Sequence, residues 1–422
     1  MTALTEAAVR AEIKDWLAAE WDPNLSLFEW RKRLVSSGWG APTWPANLFG
    51  RGLDPDLASI VEEEMRRAGV VGVARSGARN LAIQTLLAHG SEAQKRDFLG
   101  PTLTGQYSWC QLFSEPGSGS DLAGAATRAD LKDGRWIING QKVWTTSADH
   151  ADWGLLLART DWDVPKHKGL SFFFIDMHQP GIEVRPLRQM NGYASFNEVF
   201  LTDAVIMPEH MIDELGSGWT VATTTLMHER SHGDPSAAKP TDAGGRQGRV
   251  YDEEREEIVI ATEPYGWYPQ RAGRVDLILE RARETGKIND PVVREEIGKL
   301  LVLDRTAKWT ALRARANLAP GEGLGPTGSL IKLLGSHVAR AAARVHTLIS
   351  GADAMLAGAE APKDGLIAEV FVSVPAVSIA GGTDEIQRNI IAERILRMPK
   401  DPNLDANRPF RDVLKNPGAG TR

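Results

Sequence analysis

The chain has 422 residues, 42% of them hydrophobic and 25% charged, with a formal net charge of -6; this is ordinary globular composition at a length that allows two or three packed domains. No dense Lys/Arg block accompanies the acidic balance, which excludes a nucleic-acid footprint and leaves a metabolite-binding enzyme as the better fit. Cys110 is the only cysteine, so an intramolecular disulfide and a thiolate metal site are excluded, no metal is expected, and the compartment is read as reducing.

The first twenty residues mix acidic and basic groups with alanines and lack an uninterrupted apolar stretch, unlike a secretory signal or a transit peptide. No segment approaches the run of about 18 apolar residues that spans a bilayer. The expectation is a soluble, cytoplasmic protein. From Thr5 to about Thr104 the pattern is helical, with apolar spacing in Ile60-Val61-Glu62-Glu63-Glu64-Met65 and a capping box at Ser91-Glu92-Ala93-Gln94. Residues 1–106 are therefore read as an all-α domain.

Strand signals take over from Tyr107 to Ile212. Trp136-Ile137-Ile138 precedes an expected turn at Asn139-Gly140, and Leu170-Ser171-Phe172-Phe173-Phe174-Ile175 precedes one at Pro180-Gly181. Residues 107–215 form the expected β domain. After Gly216-Ser217-Gly218 a helical pattern returns at Trp219, and Asp290-Pro291 supplies an N-cap and a first-turn proline for a helix running towards Ala316. Residues 216–402 are read as a second helical domain, interrupted by a polar, glycine- and charge-rich loop over 233–273, with a weakly ordered tail at 403–422.

Three motifs stand out in order. Gln111-Leu112-Phe113-Ser114-Glu115-Pro116-Gly117-Ser118-Gly119-Ser120-Asp121 puts glycines and hydroxyls on a turn, where backbone N–H groups can approach a planar ring or an anion. Taken alone it also reads as a surface turn. Asn139-Gly140-Gln141-Lys142-Val143-Trp144-Thr145-Thr146-Ser147 sets a tryptophan beside hydroxyls, suited to an isoalloxazine ring, although Trp144 by itself reads more readily as core. Ala380-Gly381-Gly382-Thr383-Asp384-Glu385 joins a glycine turn to an amphipathic helix continuing through Arg394, and Thr383 is placed to cap it.

Together the motifs resemble those of acyl-CoA dehydrogenases, over most of the chain outside 233–273. The resemblance implies an α+β fold with an N-terminal helical domain, a middle β-barrel domain and a C-terminal four-helix bundle. It implies FAD as cofactor, lined by Gln111, Phe113, Ser114, Ser120, Trp144 and Thr146, with Ser120 also facing the acyl-CoA. Thr383 and Glu385 match positions that touch the FAD phosphates and adenosine half. Arg283, in Arg283-Glu284-Thr285-Gly286, is the shortened counterpart of the family's flavin arginine. Leu348-Ile349-Ser350-Gly351-Ala352 departs from the family's glutamine before a glycine pair, so the inter-subunit half of the FAD site is expected to be remodelled or supplied by a different chain.

Desaturation of a thioester at Cα–Cβ needs a base beside the α-hydrogen, and Gly381 occupies the position where most members carry that glutamate. The resemblance offers a second solution, a glutamate on the first helix after the β domain, which aligns with Glu229. Residues 222, 225, 226 and 229 share one helical face, so Glu229 extends a stripe of small and apolar residues. On the residues alone it also reads as a solvent-facing carboxylate at a helix end. The resemblance places Arg230 and Gly381 near the thioester. His228 projects about 100° away from Glu229 on a helix, and Asp384 and Glu385 are expected to face solvent or FAD.

The implied product is a trans-2-enoyl-CoA of fatty-acid β-oxidation or related lipid metabolism, with electrons passing to an electron-transfer flavoprotein and the chain assembled as a homodimer or homotetramer. Ser195-Phe196-Asn197-Glu198-Val199-Phe200 matches a branch whose substrates run from fatty acyl to sterol side-chain thioesters, and the acyl group stays open. Two alternatives stand beside this reading: a non-catalytic or half-site subunit of a heterotetramer with a related chain, and a flavin monooxygenase or oxidase on the same fold.

Overall fold

A computed structural model describes residues 5–75, 77–231, 239–241, 245–318, 324–400, 402 and 405–413, with the side chains of 230 and 231 outside that description. The chain begins with five helices, α1 (Glu6–Glu20), α2 (Leu27–Ser36), α3 (Pro55–Ala68), α4 (Ala78–His89) and α5 (Glu92–Thr104). The local signals explain their starts. Ser91 accepts from the Gln94 N–H while the Gln94 side chain accepts from the Ser91 N–H, closing the capping box.

Eight strands follow: β1 (Trp109–Leu112), β2 (Arg128–Lys132), β3 (Arg135–Thr146), β4 (Trp153–Arg159), β5 (Leu170–Asp176), β6 (Ile182–Leu187), β7 (Phe196–Ile206) and β8 (Met211–Ile212). They form one sheet in the order β6-β7-β3-β2-β4-β5-β8, with β1 parallel to β4. The turn expected at Asn139-Gly140 is not one. β3 runs straight through these residues with a register shift against β7, and Gly140 lies so close to Thr127 that a Cβ would sit 2.5 Å from its hydroxyl. The hairpin turn is instead Asp133-Gly134, with φ of 50° and 74°, the left-handed pair that a two-residue hairpin selects.

The period of two along the strands divides side chains between two cores. Leu155, Leu157, Phe172 and Phe174 pack outward against α4, α5 and the first helix after the sheet, whereas Leu156, Ala158, Phe173 and Ile175 face Trp136, Ile138, Val199 and Leu201 within the curled sheet. Cys110 lies in this inner core, fully buried. Among the described residues no pairing joins β6 to β8, so the sheet curls around its core without a closed ladder.

The remaining helices are α6 (Gly218–Ser231), α7 (Arg249–Thr262), α8 (Tyr268–Arg271), α9 (Ile278–Glu284), α10 (Pro291–Ala316), α11 (Thr327–Ser350), α12 (Leu366–Ser373) and α13 (Asp384–Ile390). α11 is central to the C-terminal domain, touching α9, α10, α12 and α13. Asp290 caps α10 through the N–H groups of Val292 and Val293, with Pro291 in the first turn. Among the described residues no helix is long and apolar enough to cross a membrane.

The loop expected over 233–273 is corrected in its second half, which contains α7 and α8; residues 232–238 and 242–244 lie outside the described residues. The run Asp252-Glu253-Glu254-Arg255-Glu256-Glu257 is one turn after another of α7. Val250 and Tyr251 turn inward against the N-terminal domain, where Tyr251 donates to the Gly69 carbonyl at 2.7 Å, and the buried Glu254 accepts from the N–H and hydroxyl of Thr241. The charges that suggested a loop belong mostly to the outer and cleft-facing sides of this helix.

Candidate functional site

The three parts of the chain surround one cleft of about 2180 Å³, larger than the roughly 300–1,000 Å³ of a single small-molecule pocket. Gln111, Phe113, Ser114, Ser120, Trp144, Thr146, Glu229, Gly381 and Thr383 all line it. Glu385 and Arg283 do not. Glu385 is exposed beside Arg388, and Arg283 is exposed near the end of α9. The helix turn that caps at Thr383 sends the next two side chains away from the cleft, and α9 presents Ile278 and Ala282 to its own core instead.

The glycine loop is held from beneath by a buried cation. Lys142, fully buried in β3, donates to the carbonyls of Phe113 at 3.0 Å and Leu157 at 2.7 Å and to the Glu115 carboxylate at 2.8 Å. Glu115 also accepts from the N–H groups of Ala126 and Thr127. Burial alone would push its carboxyl up, but Lys142 and these donors hold it below the usual carboxylate range. Glu115 and Ser118 exchange backbone hydrogen bonds at 3.0 Å in each direction, which closes the loop carrying Ser120.

β3 shifts register against β7 between Lys142 and Thr145, and Trp144 at that bulge has φ of 61° and is 57% exposed. A bulge re-aims a side chain, here swinging a large ring out of the sheet and into the cleft, where it meets Phe196 edge-on at 5.8 Å. A core tryptophan would be covered on both faces. An open aromatic face next to Thr146 is what a planar cofactor ring needs.

Glu229 owes its place to how α6 seats on the sheet. Gly218 lets the helix start against β5, where a Cβ would lie 2.5 Å from the Ser171 backbone. Val221, Ala222 and Thr225 are then buried, and Thr225 bonds Thr85 of α4 at 2.8 Å. One turn on, Glu229 is half-buried at the cleft wall and accepts from the Gln111 amide at 3.2 Å. The side chain of Arg230 lies outside the described residues. His228 does not line the cleft.

Gly381 has φ of 65°, is exposed, and would place a Cβ in open space. Its carbonyl and that of Gly382 accept from the Gln387 amide at 2.9 and 3.0 Å. Thr383 caps α13 by accepting from the Ile386 N–H. Asp384, expected to face solvent or a ligand, is instead 2% exposed and bonded to Lys332 at 3.2 Å. The helix period turns it under α13 onto α11, and against burial Ser336 and Lys332 hold its carboxyl below the usual range.

Sequence reasoning missed the contribution of the segment after α7. Tyr265, Trp267, Tyr268 and Arg271 all line the cleft. Trp267 meets Tyr268 at 5.2 Å, and Arg271 stacks over the Tyr268 ring at 3.6 Å. Burial, with Tyr268 and Glu229 close by, pushes the Tyr265 phenol above the ordinary value, so it stays neutral. The aromatic density of Tyr265-Gly266-Trp267-Tyr268 was the available signal, since solvated loops seldom carry it.

Three family models match the chain: the acyl-CoA dehydrogenase N-terminal domain over residues 2–106, its middle domain over 110–204 and its C-terminal domain over 270–396. Residues 205–269, with α6 and α7, lie between the last two matches. Acyl-CoA dehydrogenase IpdE1 of Mycobacterium tuberculosis is 34% identical over 381 residues, covering 88% of each chain. Acyl-CoA dehydrogenase FadE34 of the same organism is 33% identical over 418 residues; the alignment takes in 95% of this chain, which spans only about half of FadE34 (52%). Among solved structures, the Tcur3481-Tcur3483 steroid ACAD superposes with a TM-score of 0.63 at 23% identity, over 94% of this chain and 97% of that one. The ChsE4-ChsE5 complex from Mycobacterium tuberculosis gives 0.60 at 22% identity, over 95% and 100%. At these identities the two structures speak for the fold.

Proposed function

Since the chain belongs to the acyl-CoA dehydrogenase family, whose members are flavoprotein oxidoreductases acting on CH–CH bonds, we propose that it desaturates an acyl-CoA thioester between Cα and Cβ with Glu229 as the α-proton base. The observation that carries this reading is the pairing of a cleft-lining carboxylate at 229 with an empty, side-chain-free position at 381. The cleft is large enough for a dinucleotide and a thioester together, and the loop from Phe113 to Ser120, Trp144 and Thr146 offer the glycine cradle, aromatic face and hydroxyls that FAD calls for. FAD, when bound, supplies the acceptor for the hydride leaving Cβ.

The chain's own residues do the rest. Glu229 accepts the α-proton, and the Gln111 amide fixes the orientation of its carboxylate. Partial burial under a bound thioester removes water from that carboxylate and makes it a stronger base. Lys142 and Glu115 keep the glycine loop in place, and Tyr265 lines the cleft as a neutral phenol. Arg271, Lys332 and Arg394 supply positive charge along the wall leading to Thr383, suited to the phosphates of the two ligands.

A second chain in the assembly is supported by α10. Past Leu300 none of its residues is buried, and Val302, Trp309 and Leu312 are each more than 60% exposed. Such a stripe fits contact with another copy or with a related subunit. An electron-transfer flavoprotein is the acceptor this chemistry calls for.

The test is an anaerobic titration of FAD-loaded protein with acyl-CoA thioesters, following the flavin's visible absorbance, for wild type and Glu229→Gln. A positioned base contributes about 10²–10⁴ in rate, so the variant is expected to bind thioester and leave the flavin oxidised on the wild-type time scale. Unchanged bleaching by Glu229→Gln removes Glu229 from the mechanism.

A further inference from the structure

Beyond the last family-matched residue, at 396, the chain returns to the sheet domain. Phe410 and Arg411, within the stretch expected as a weakly ordered tail at 403–422, dock on the loop 160–169 between β4 and β5. The Phe410 N–H donates to the Val164 carbonyl at 2.9 Å and the Arg411 N–H to the Trp162 carbonyl at 3.0 Å. Arg411 also grips both carboxylate oxygens of Asp163, through Nε and Nη2, at 2.5 Å each. The Phe410 ring lies 5.5 Å from that of Trp162 and is 2% exposed.

What Phe410 covers is Arg159. This guanidinium is fully buried, with its carbon 3.4 Å from the centroid of the Phe410 ring. Its hydrogen bonds go to three carbonyls: Nη2 to Ala123 at 2.7 Å, Nε to Ala125 at 3.0 Å and Nη1 to Lys166 at 3.1 Å. Among the described residues no carboxylate forms an ion pair with it. A buried cation without a counter-ion is destabilising, and an aromatic face laid over it offsets part of that. The tail therefore stabilises the cation that fixes the backbone just after the glycine loop, where Ser120 and Leu122 line the cleft. Lys166 of the same β4–β5 loop clasps both oxygens of Asp121, at 2.6 and 2.8 Å. His167 next to it meets Trp219 edge-on at 4.9 Å, and Trp219 lines the cleft near the start of α6, the helix that carries Glu229. Lys142 and Glu115 hold the near side of the glycine loop; Arg159 and Lys166 hold its far side.

We infer that docking of the C-terminal tail is coupled to FAD binding in the cleft, with Phe410 as a positioning residue that acts through Arg159 on the far side of the glycine loop. The route is short and contiguous: ring to guanidinium, guanidinium to the carbonyls of Ala123 and Ala125, and from these to the cleft-lining Leu122 and Ser120. With the tail docked, the loop is held in one arrangement before the ligand arrives, and less ordering is left for binding to impose. This coupling rests on the reading that the glycine loop cradles FAD, and Phe410 lies outside the matched family domains.

The experiment is hydrogen exchange of the full-length protein with and without FAD, read by mass spectrometry, beside a fluorescence titration of FAD. By linkage, FAD must strengthen tail docking by the factor by which the docked tail strengthens FAD binding, and ordinary couplings of this kind are about tenfold. Exchange of the peptide carrying Phe410 and Arg411 is expected to slow by that factor when FAD binds, beyond any slowing of α1, which does not line the cleft. Phe410→Ala should weaken FAD binding equally, and Phe410→Tyr, which keeps the ring, should bind as the wild type does. A merely structural tail would lower the melting temperature of Phe410→Ala and leave the wild-type tail indifferent to FAD. Unchanged exchange at the tail, or slowing shared equally with α1, overturns the inference, and neither result needs a variant to fold. Wild-type FAD affinity in a folded Phe410→Ala protein overturns it as well. Protein that binds no FAD overturns it together with the function proposed above. FAD binding that slows the tail, without bleaching by thioesters, keeps the coupling and sinks the desaturation reading.

Discussion

Replacing Lys142 by Met tests how the cofactor loop is held. The substitution keeps the length of the stem and removes an ammonium that makes hydrogen bonds at 3.0, 2.7 and 2.8 Å to Phe113, Leu157 and Glu115. Glu115, with 9% side-chain exposure, stays behind as a buried anion whose remaining partners are two backbone N–H groups. Removing one member of a buried ion pair costs about 3–5 kcal/mol, mostly as the penalty of the charge left unpaired. Two carbonyls lose their donor as well, each at about 1 kcal/mol or more. Urea unfolding should show a loss of that size, and FAD should dissociate more readily because Phe113 and Ser114 sit on the freed loop. The double variant Lys142→Met/Glu115→Gln should recover part of the loss, since the charge is gone. A single-variant loss under about 1 kcal/mol with FAD fully retained would refute the idea that this cation supports the loop.

Adding Gly381→Glu to Glu229→Gln should restore part of the flavin reduction, because a Cβ at 381 meets nothing within 4 Å, although φ of 65° adds strain of about 1–3 kcal/mol; no recovery in a folded, FAD-loaded protein would move the substrate away from 381. Gly218→Ala drives a Cβ to 2.5 Å from the Ser171 backbone, so about 1–3 kcal/mol of stability should be lost in denaturant melts, with slower flavin reduction as α6 lifts Glu229 off its station. Burial would push the Glu257 carboxyl up, but Arg31 and Arg79 hold it lower than usual. Its contribution is therefore complete above the unfolded value near 4.3 and is lost as pH falls through the lower folded value; Glu257→Gln should flatten that part of the acid titration of stability, and an unchanged profile would count against the clamp.

What could be read from the sequence was local. The Ser91–Gln94 box and the Asp290–Pro291 start each need only neighbours three residues away, and both form as expected. Asn139-Gly140 misled because its turn chemistry is overruled by pairing to β7, where Gly140 serves a close approach to Thr127. α7 was hidden because its acids outnumber the inward pair Val250 and Tyr251 and dominate any local average. Phe113, Ser120, Trp144 and Glu229 were found as cleft-side residues, whereas Glu385 and Arg283 were placed there by motif position and point elsewhere. Partnerships across long separations left no trace: Lys142 with Glu115 and Arg79 with Glu257 join residues whose meeting depends on the whole fold.

Cys110 stands in β1, paired in register with Gly154 of β4 and fully buried in the inner core. Burial, with Asp149 adding to it, pushes its thiol well above the ordinary range, so almost no thiolate forms at neutral pH. A thiol reagent can react with this chain only after the sheet opens, which turns the rate of modification into a clock for the slowest breathing motions of the molecule. The same silence leaves the surface free for chemistry: one cysteine introduced on α7 or beside Trp144 would be the single labelled position, ready to carry a spin or fluorescent probe that follows the cleft as ligands enter.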